Sequence, residues 1–135
     1  MNPQLHCLLI DDDIDDGEIF TIAMRDIHES IHTDTALDAL SALQRLENPE
    51  FNPDLVFIDL NMPRVNGLDC LRRIRSQDRL SELPVIIYST SANPGDIAVS
   101  RREGATDYMV KPTSIKNLET NLKDILRKYQ NKIFV

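Results

Sequence analysis

The sequence predicts an α/β fold: a doubly wound, parallel five-stranded sheet built from five strand–helix pairs, (βα)5. Three observations predict it. Short continuous apolar runs recur along the chain, helical stretches with an apolar stripe separate them, and Gly, Pro, Asn or Asp marks the junctions. Runs without polar alternation suit strands buried on both faces, and a parallel sheet covered by helices is the architecture that buries both.

"HCLLI" (6–10) reads as the first strand. After the acidic run "DDDIDDGE" (11–18), Ile19, Ile22, Ala23 and Ile27 fall at helical spacing and mark the first helix. "SIHTDT" (30–35) alternates and carries β-branched residues, as an edge strand does. Leu37, Leu40, Leu43 and Leu46 mark a second helix, which "NPEFNP" (48–53) breaks before the third strand, "LVFI" (55–58). Leu68, Leu71 and Ile74 define a third helix; Pro84 introduces the fourth strand, "VIIYS" (85–89). A shorter fourth helix over 96–103 ends at Gly104 as at a C-cap glycine, and "YMV" (108–110) is the fifth strand. Ile115, Leu118, Leu122, Ile125, Leu126 and Tyr129 give the last helix its stripe. Each stripe is expected to face the core.

A chain of 135 residues fits one domain over 1–135, with a core of about 5–130, a short tail ending in Ile133, Phe134 and Val135, and no output domain. With 41% hydrophobic and 27% charged residues, the composition is that of a folding chain rather than a disordered one. The net charge of −7 offers no positive field for nucleic acid or an anionic membrane, so neither is an expected partner. No apolar run is long enough to span a membrane and the N-terminus has no secretory pattern, which points to the cytoplasm. Cys7 and Cys70 form no CxxC pair and read as reduced core thiols. His6, His28 and His32 make no HExxH or similar cluster, so the sequence predicts no zinc site.

In open parallel sheets ligands bind beyond the carboxyl ends of the strands. Here the first strand ends on Asp11 and Asp12, the third on Asp59, the fourth on Ser89 and Thr90, and the fifth on Lys111 and Pro112. If the strand order is 2-1-3-4-5, the first and third strands are neighbours and their aspartates converge. Carboxylates that close resist ionisation unless a cation sits among them, and a hard divalent ion is the natural partner. Lys111 adds a second positive charge. Carboxylates, metal, ammonium and hydroxyl together suit phosphoryl chemistry, with Asp59 as the candidate nucleophile. Asp13, Asp15, Asp16 and Glu18 read instead as solvated acids of a helix start. Thr90 and Ser91 offer hydroxyls beside Ser89, and a one-residue slip turns each side chain to the opposite face.

"LLIDDD" (8–13), "DLVFIDLNMPRVNGLDCLRRIR" (54–75), "PVIIYSTSA" (84–92) and "GATDYMVKP" (104–112) resemble the bacterial two-component response-regulator receiver domain, in the right order over nearly the whole chain. The resemblance is to the stand-alone, chemotaxis-receiver-like kind. It implies a flavodoxin-like sheet of order 2-1-3-4-5 and a phosphoprotein rather than an enzyme. Asp59 would take a phosphoryl group from a sensor histidine kinase or phosphotransfer protein. Asp12 and Asp59 would bind Mg2+ (or Mn2+) directly, Asp11 through water, with the Asn61 backbone carbonyl as a further ligand. Ser89 fills the switch hydroxyl position, Lys111 the lysine position and Tyr108 the aromatic switch position, and Pro112 becomes a candidate for a cis peptide.

The resemblance further implies a separate downstream effector, docking on the surface of the fourth helix, fifth strand and fifth helix, and allows a homodimer on phosphorylation. Lys116, Lys123, Arg127 and Lys128 lie off the apolar stripe of the last helix and could serve that interface. The stretch "RSQDRLSELP" (75–84) resembles stand-alone receivers paired with bacterial phytochromes. Two alternatives compete. A phosphorylation-independent scaffold would fit the loss of an acid or the lysine, and none is lost. An aspartate-nucleophile phosphatase of the haloacid dehalogenase type wants a second acid two residues after the nucleophile, where Asn61 stands.

Overall fold

The computed structural model of the protein describes residues 4–130. Its strands are β1 (Leu5–Ile10), β2 (Ile31–Ala36), β3 (Leu55–Ile58), β4 (Val85–Ser89) and β5 (Asp107–Val110). All pair in parallel, in the order β2-β1-β3-β4-β5. The helices are α1 (Ile14–Ile27), α2 (Ala39–Glu47), α3 (Gly67–Arg75), α4 (Pro94–Arg102) and α5 (Ile115–Tyr129), with a one-turn 3-10 helix at Asp78–Leu80. The doubly wound (βα)5 sheet expected from the sequence is the one observed. The tail residues Ile133, Phe134 and Val135 lie outside the described residues.

Successive residues of each strand point to opposite faces, which creates two cores from one sheet. On one face Leu8, Ile10, Val56, Ile58 and Ile87 pack with Leu43, Leu46, Leu71 and Ile74 of α2 and α3. On the other, Leu9, Phe57, Ile86 and Tyr88 pack with Phe20, Met24, Leu122 and Leu126 of α1 and α5. Burying each large side chain contributes about 1.5–3 kcal/mol relative to exposure. Cys7 and Cys70 are free and buried, and burial pushes both thiols up, that of Cys70 to about 12, so neither is a reactive thiolate.

Each α-helix opens on a side-chain cap: Asp13, Asp38, Asn66, Asn93 and Ser114 accept from the N–H groups of Asp16, Ser41, Asp69, Gly95 and Asn117. Each cap is worth about 1 kcal/mol. Four of these caps, Asp13, Asp38, Asn93 and Ser114, follow their strands within a few residues, which holds helix starts close to the strand ends where the acids gather. Pro94 begins α4 two residues earlier than the stripe suggested, since proline suits a first helical turn.

Some apolar residues assigned to core stripes face solvent. Ile22 is 53% exposed, Ile19 39%, Leu37 and Leu40 about half and Ile115 56%. In α1 the buried row is Gly17, Phe20, Ala23 and Met24; Ile19 and Ile22 occupy the adjacent row, and spacing alone does not distinguish two apolar rows on one helix. Leu37 precedes α2.

At the far end of the sheet from the acids, the Arg75 guanidinium donates to the carbonyls of Gly104 and Leu80, both at 2.9 Å, and to Thr106 Oγ1 at 3.3 Å. It thereby fastens the end of α3 to the turn between α4 and β5. Gly104 adopts φ +110°, and a Cβ there would lie 3.0 Å from Arg75 Cγ, so its role as a C-cap glycine also makes room for this side chain.

Candidate functional site

The order β2-β1-β3 brings the residues after β1 and β3 side by side. Asp59 N–H donates to the Ile10 carbonyl at 2.8 Å, and Asp11 N–H to the Ala36 carbonyl at 3.0 Å. Extended strands thus deliver two carboxylates to the same edge, both buried: Asp11 is 2% exposed and Asp59 7%. Asp12 is exposed at the mouth. One carboxylate oxygen from each of the three lies within 4.8 Å of the others.

Lys111 reaches this cluster from β5. Its Nζ donates to Asp11 Oδ2 and Asp16 Oδ2, both at 2.9 Å, and stands 3.9 Å from Asp59 Oδ2. Burial alone would depress the ammonium, but its bonds to Asp11 and Asp16 outweigh burial and hold it above the usual lysine range. Nζ also lies 5.1 Å from the centroid of the Tyr88 ring. Asp59 is less well served. Burial, with the charges of Asp11 and Asp12, outweighs Lys111 and pushes its carboxyl up to about 6. Its hydrogen bond from Asn61 N–H is long, at 3.4 Å.

The Lys111–Pro112 peptide is trans, as is every described peptide bond, so the cis bond expected at Pro112 is corrected. Trans is the intrinsic preference of an X–Pro bond, and Lys111 makes its contacts from it. Asn61 is the first residue of a turn through Arg64, which holds φ 67°, to the start of α3. Gly67 begins that helix because a Cβ there would collide with the Asp59 carbonyl oxygen and lie 2.8 Å from Leu60 Cα. Its role is close approach rather than positive φ, and it seats α3 directly on the backbone of Asp59.

Among the three hydroxyls at and just beyond the end of β4, burial discriminates. Ser89 is fully buried, and its Oγ accepts from Ser91 N–H at 3.1 Å. Thr90 is exposed, and Ser91 Oγ donates to Asp96 at 2.6 Å. Ser89 is therefore the hydroxyl held inside at this edge. Tyr108 is half-buried, and its hydroxyl donates to the Ser91 carbonyl at 2.8 Å, tying β5 to the loop that follows Ser89. Lys116, Arg127 and Lys128 are exposed on α5, and Lys123 is partly so.

Asp16 belongs to the site although it read as a solvated acid. With Asp13 as N-cap, it occupies the third helical position, and helical side chains lean toward the N-terminus, here toward the strand edge. The cap residue carried that signal. The three carboxylates offer only oxygen, the donor set a hard divalent ion takes, so the residues fit magnesium or manganese.

Residues 7–123 match the family described as response regulator receiver domain. The alkaline phosphatase synthesis transcriptional regulatory protein SphR of Synechococcus elongatus is 31% identical over 138 residues, covering 97% of this chain and 52% of that one. The DNA-binding response regulator MtrA of Mycobacterium tuberculosis is 32% identical over 121 residues, covering 90% of this chain and 50% of that one. The chain spans about half the length of these curated relatives. Among solved structures, the phosphorylated cyanobacterial phytochrome response regulator RcpA matches with a TM-score of 0.84 at 26% identity, covering 94% of both chains. Response regulator RPA3017, in red light signaling of R. palustris, matches with a TM-score of 0.85 at 25% identity, covering 95% of both.

Proposed function

The chain belongs to the response regulator receiver domain family of two-component signalling, and we propose that it is a phosphorylation-controlled switch whose acceptor is Asp59. The observation that carries this reading is the convergence of the Asp11, Asp12 and Asp59 carboxylates with the Lys111 ammonium at one edge of the sheet. Receiver domains take their input from histidine kinases and pass it to effectors.

In the transfer, a carboxylate oxygen of Asp59 attacks the phosphorus of a phosphohistidine. The new O–P bond forms as the N–P bond breaks, and the departing imidazole nitrogen keeps the electron pair and takes a proton. Asp11, Asp12 and Asp59, with the Asn61 carbonyl, would hold the divalent ion, which when bound supplies positive charge for the phosphoryl oxygens. Lys111 exchanges part of its bonding to Asp11 and Asp16 for the new anion, and Ser89 donates a hydrogen bond to it. The modification adds about −1.5 to −2 charge in a buried crevice. Movement of Ser89 toward that charge pulls the following loop, and Tyr108 transmits the pull to β5 through its bond to the Ser91 carbonyl. The surface of α4, β5 and α5 is then the output face.

The donor must approach the crevice. Ile19 and Ile115 line the hollow beside Lys111 and Pro112 and are exposed, at 39% and 56%. These isoleucines form the apolar seat for a phosphohistidine protein, which accounts for their absence from the core. RcpA and RPA3017 are described as phytochrome or red-light regulators, so a phytochrome-type histidine kinase is the first donor to test.

The test is intact mass after incubation with magnesium and acetyl phosphate, beside an Asp59→Asn control. One added phosphoryl group is expected, absent in the control and absent without magnesium. No adduct would overturn the acceptor reading and leave the receiver fold as a scaffold.

A further inference from the structure

At the opposite end of β1 from the acidic crevice, three polar residues from two neighbouring strands meet. His6 on β1 and His32 on β2 are register partners in parallel strands, so their side chains share a face. Asp34, two residues beyond His32, shares it too. Asp34 Oδ2 is 2.6 Å from His6 Nε2, and Oδ1 is 3.4 Å from His32 Nε2. One ligand atom from each residue lies within 4.8 Å of the others. From this geometry we infer that His6, His32 and Asp34 form a binding site for a borderline transition-metal ion, zinc in the first instance, independent of the magnesium chemistry at Asp59.

The donor set argues for zinc. Two imidazole nitrogens and one carboxylate oxygen are a familiar zinc triad, with the fourth tetrahedral position left to water, whereas magnesium prefers oxygen throughout. Tetrahedral bonds of about 2.0–2.1 Å set ligand atoms about 3.3 Å apart. The His32–Asp34 separation already matches that spacing. The His6–Asp34 pair, now a hydrogen bond, would open by a rotation of the carboxylate as the ion takes the place of the shared proton.

Orientation and access both favour occupancy. The His6 ring meets Phe51 edge-on at 5.2 Å, and its backbone is held by Asp54 in both directions: His6 N–H donates to Asp54 Oδ2, and Asp54 N–H to the His6 carbonyl. His6 is therefore a placed ligand. The His32 side chain is 72% exposed, so an ion enters from solvent without opening the core. A plain histidine–aspartate pair would account for His6 with Asp34, but not for a second imidazole converging on the same carboxylate. Five residues separate His6 from Asp11, roughly 16 Å along an extended strand, so the two sites do not share ligands. Zinc here would clamp the edge strand β2 to the centre of the sheet.

Untagged full chain, with magnesium in large excess to occupy the acidic crevice, is titrated with zinc chloride by calorimetry. One zinc per chain is expected, with micromolar affinity. His32→Gln should weaken it about tenfold or more, since a lost ligand costs at least what a lost supporting contact does. Asp59→Asn should leave it unchanged. The exposed position of His32 makes that variant safe for folding, and imidazole nitrogen NMR provides a second readout: zinc should shift His6 and His32 and spare His28. Binding that survives His32→Gln, binding abolished by Asp59→Asn, or no shift at His6 and His32 would each overturn the assignment.

Discussion

Asp59 and Asp107 are each 7% exposed, yet the protein treats them in opposite ways. Asp107, at the start of β5, accepts from Tyr108 N–H at 2.8 Å, from the Tyr129 hydroxyl at 2.6 Å and from Arg101 at 3.2 Å, with Lys128 Nζ at 3.8 Å. Asp59 has one long bond from Asn61 and a lysine 3.9 Å away that is hydrogen-bonded to other acids. Burial alone does not mark a functional carboxylate. What distinguishes Asp59 is burial with its bonding capacity left unused, and that unused capacity is what a metal ion or a phosphoryl group needs.

Substitution should separate the two carboxylates. Asp107→Ala removes the common acceptor of Arg101 and Tyr129 and should destabilise the fold by about 2–3 kcal/mol in urea unfolding, while phosphorylation by acetyl phosphate persists. If stability held, the network around Asp107 would be ornamental and the contrast would fail.

Asp59→Asn should do the reverse: it abolishes the adduct and stabilises the metal-free protein at neutral pH by roughly 1–2 kcal/mol, a value reduced for screening by water in the open crevice. The sign follows from the raised carboxyl. The folded state holds the Asp59 proton up to about 6 and the unfolded state releases it nearer the ordinary carboxylate value of 3.8, so this group's contribution to stability declines as pH rises through that window and is level above it. In chelator, unfolding measured across that window should show the decline in the wild type and lose it in Asp59→Asn. An identical profile in both would remove the case for Asp59 as an uncompensated charge.

The smallest effect concerns approach rather than chemistry. Ile115→Asp places a charge on the apolar rim beside Lys111 and should slow transfer from a phosphohistidine protein about tenfold, equivalent to about 1.4 kcal/mol. Acetyl phosphate, which needs no docking surface, should react as before. Equal slowing with both donors would mean that the substitution disturbed the crevice itself.

Much of the acidic crevice was legible because it is written at strand ends. Continuous apolar runs locate β1, β3 and β4, and the polar residues where they end are Asp11, Asp59 and Ser89. What was not legible depends on placement that spacing does not encode. Asp16 joins the site only because Asp13, and not a neighbouring acid, caps α1. Ile19 and Ile22 look like core until Phe20 and Met24 take the buried row. His6 and His32 form no local motif, and only the register of β1 with β2 makes them neighbours. Asp107 stands just before the run that marks the fifth strand, and only the fold, by bringing Tyr129 back onto it from the end of α5, shows its network.

The Arg75 clasp sets the form that motion can take on the α4 and β5 side of the sheet. It pins the turn between α4 and β5 at the end of the sheet remote from Ser89, while the other end of the same segment is tied to the acidic crevice through Tyr108 and Lys111. A segment held at one end and pushed at the other swings rather than slides. Displacement should therefore be least at Gly104 and greatest near Ser91 and the start of α4, so a small movement of one buried hydroxyl is geared up into a tilt of the outer face, with the arginine as its fulcrum.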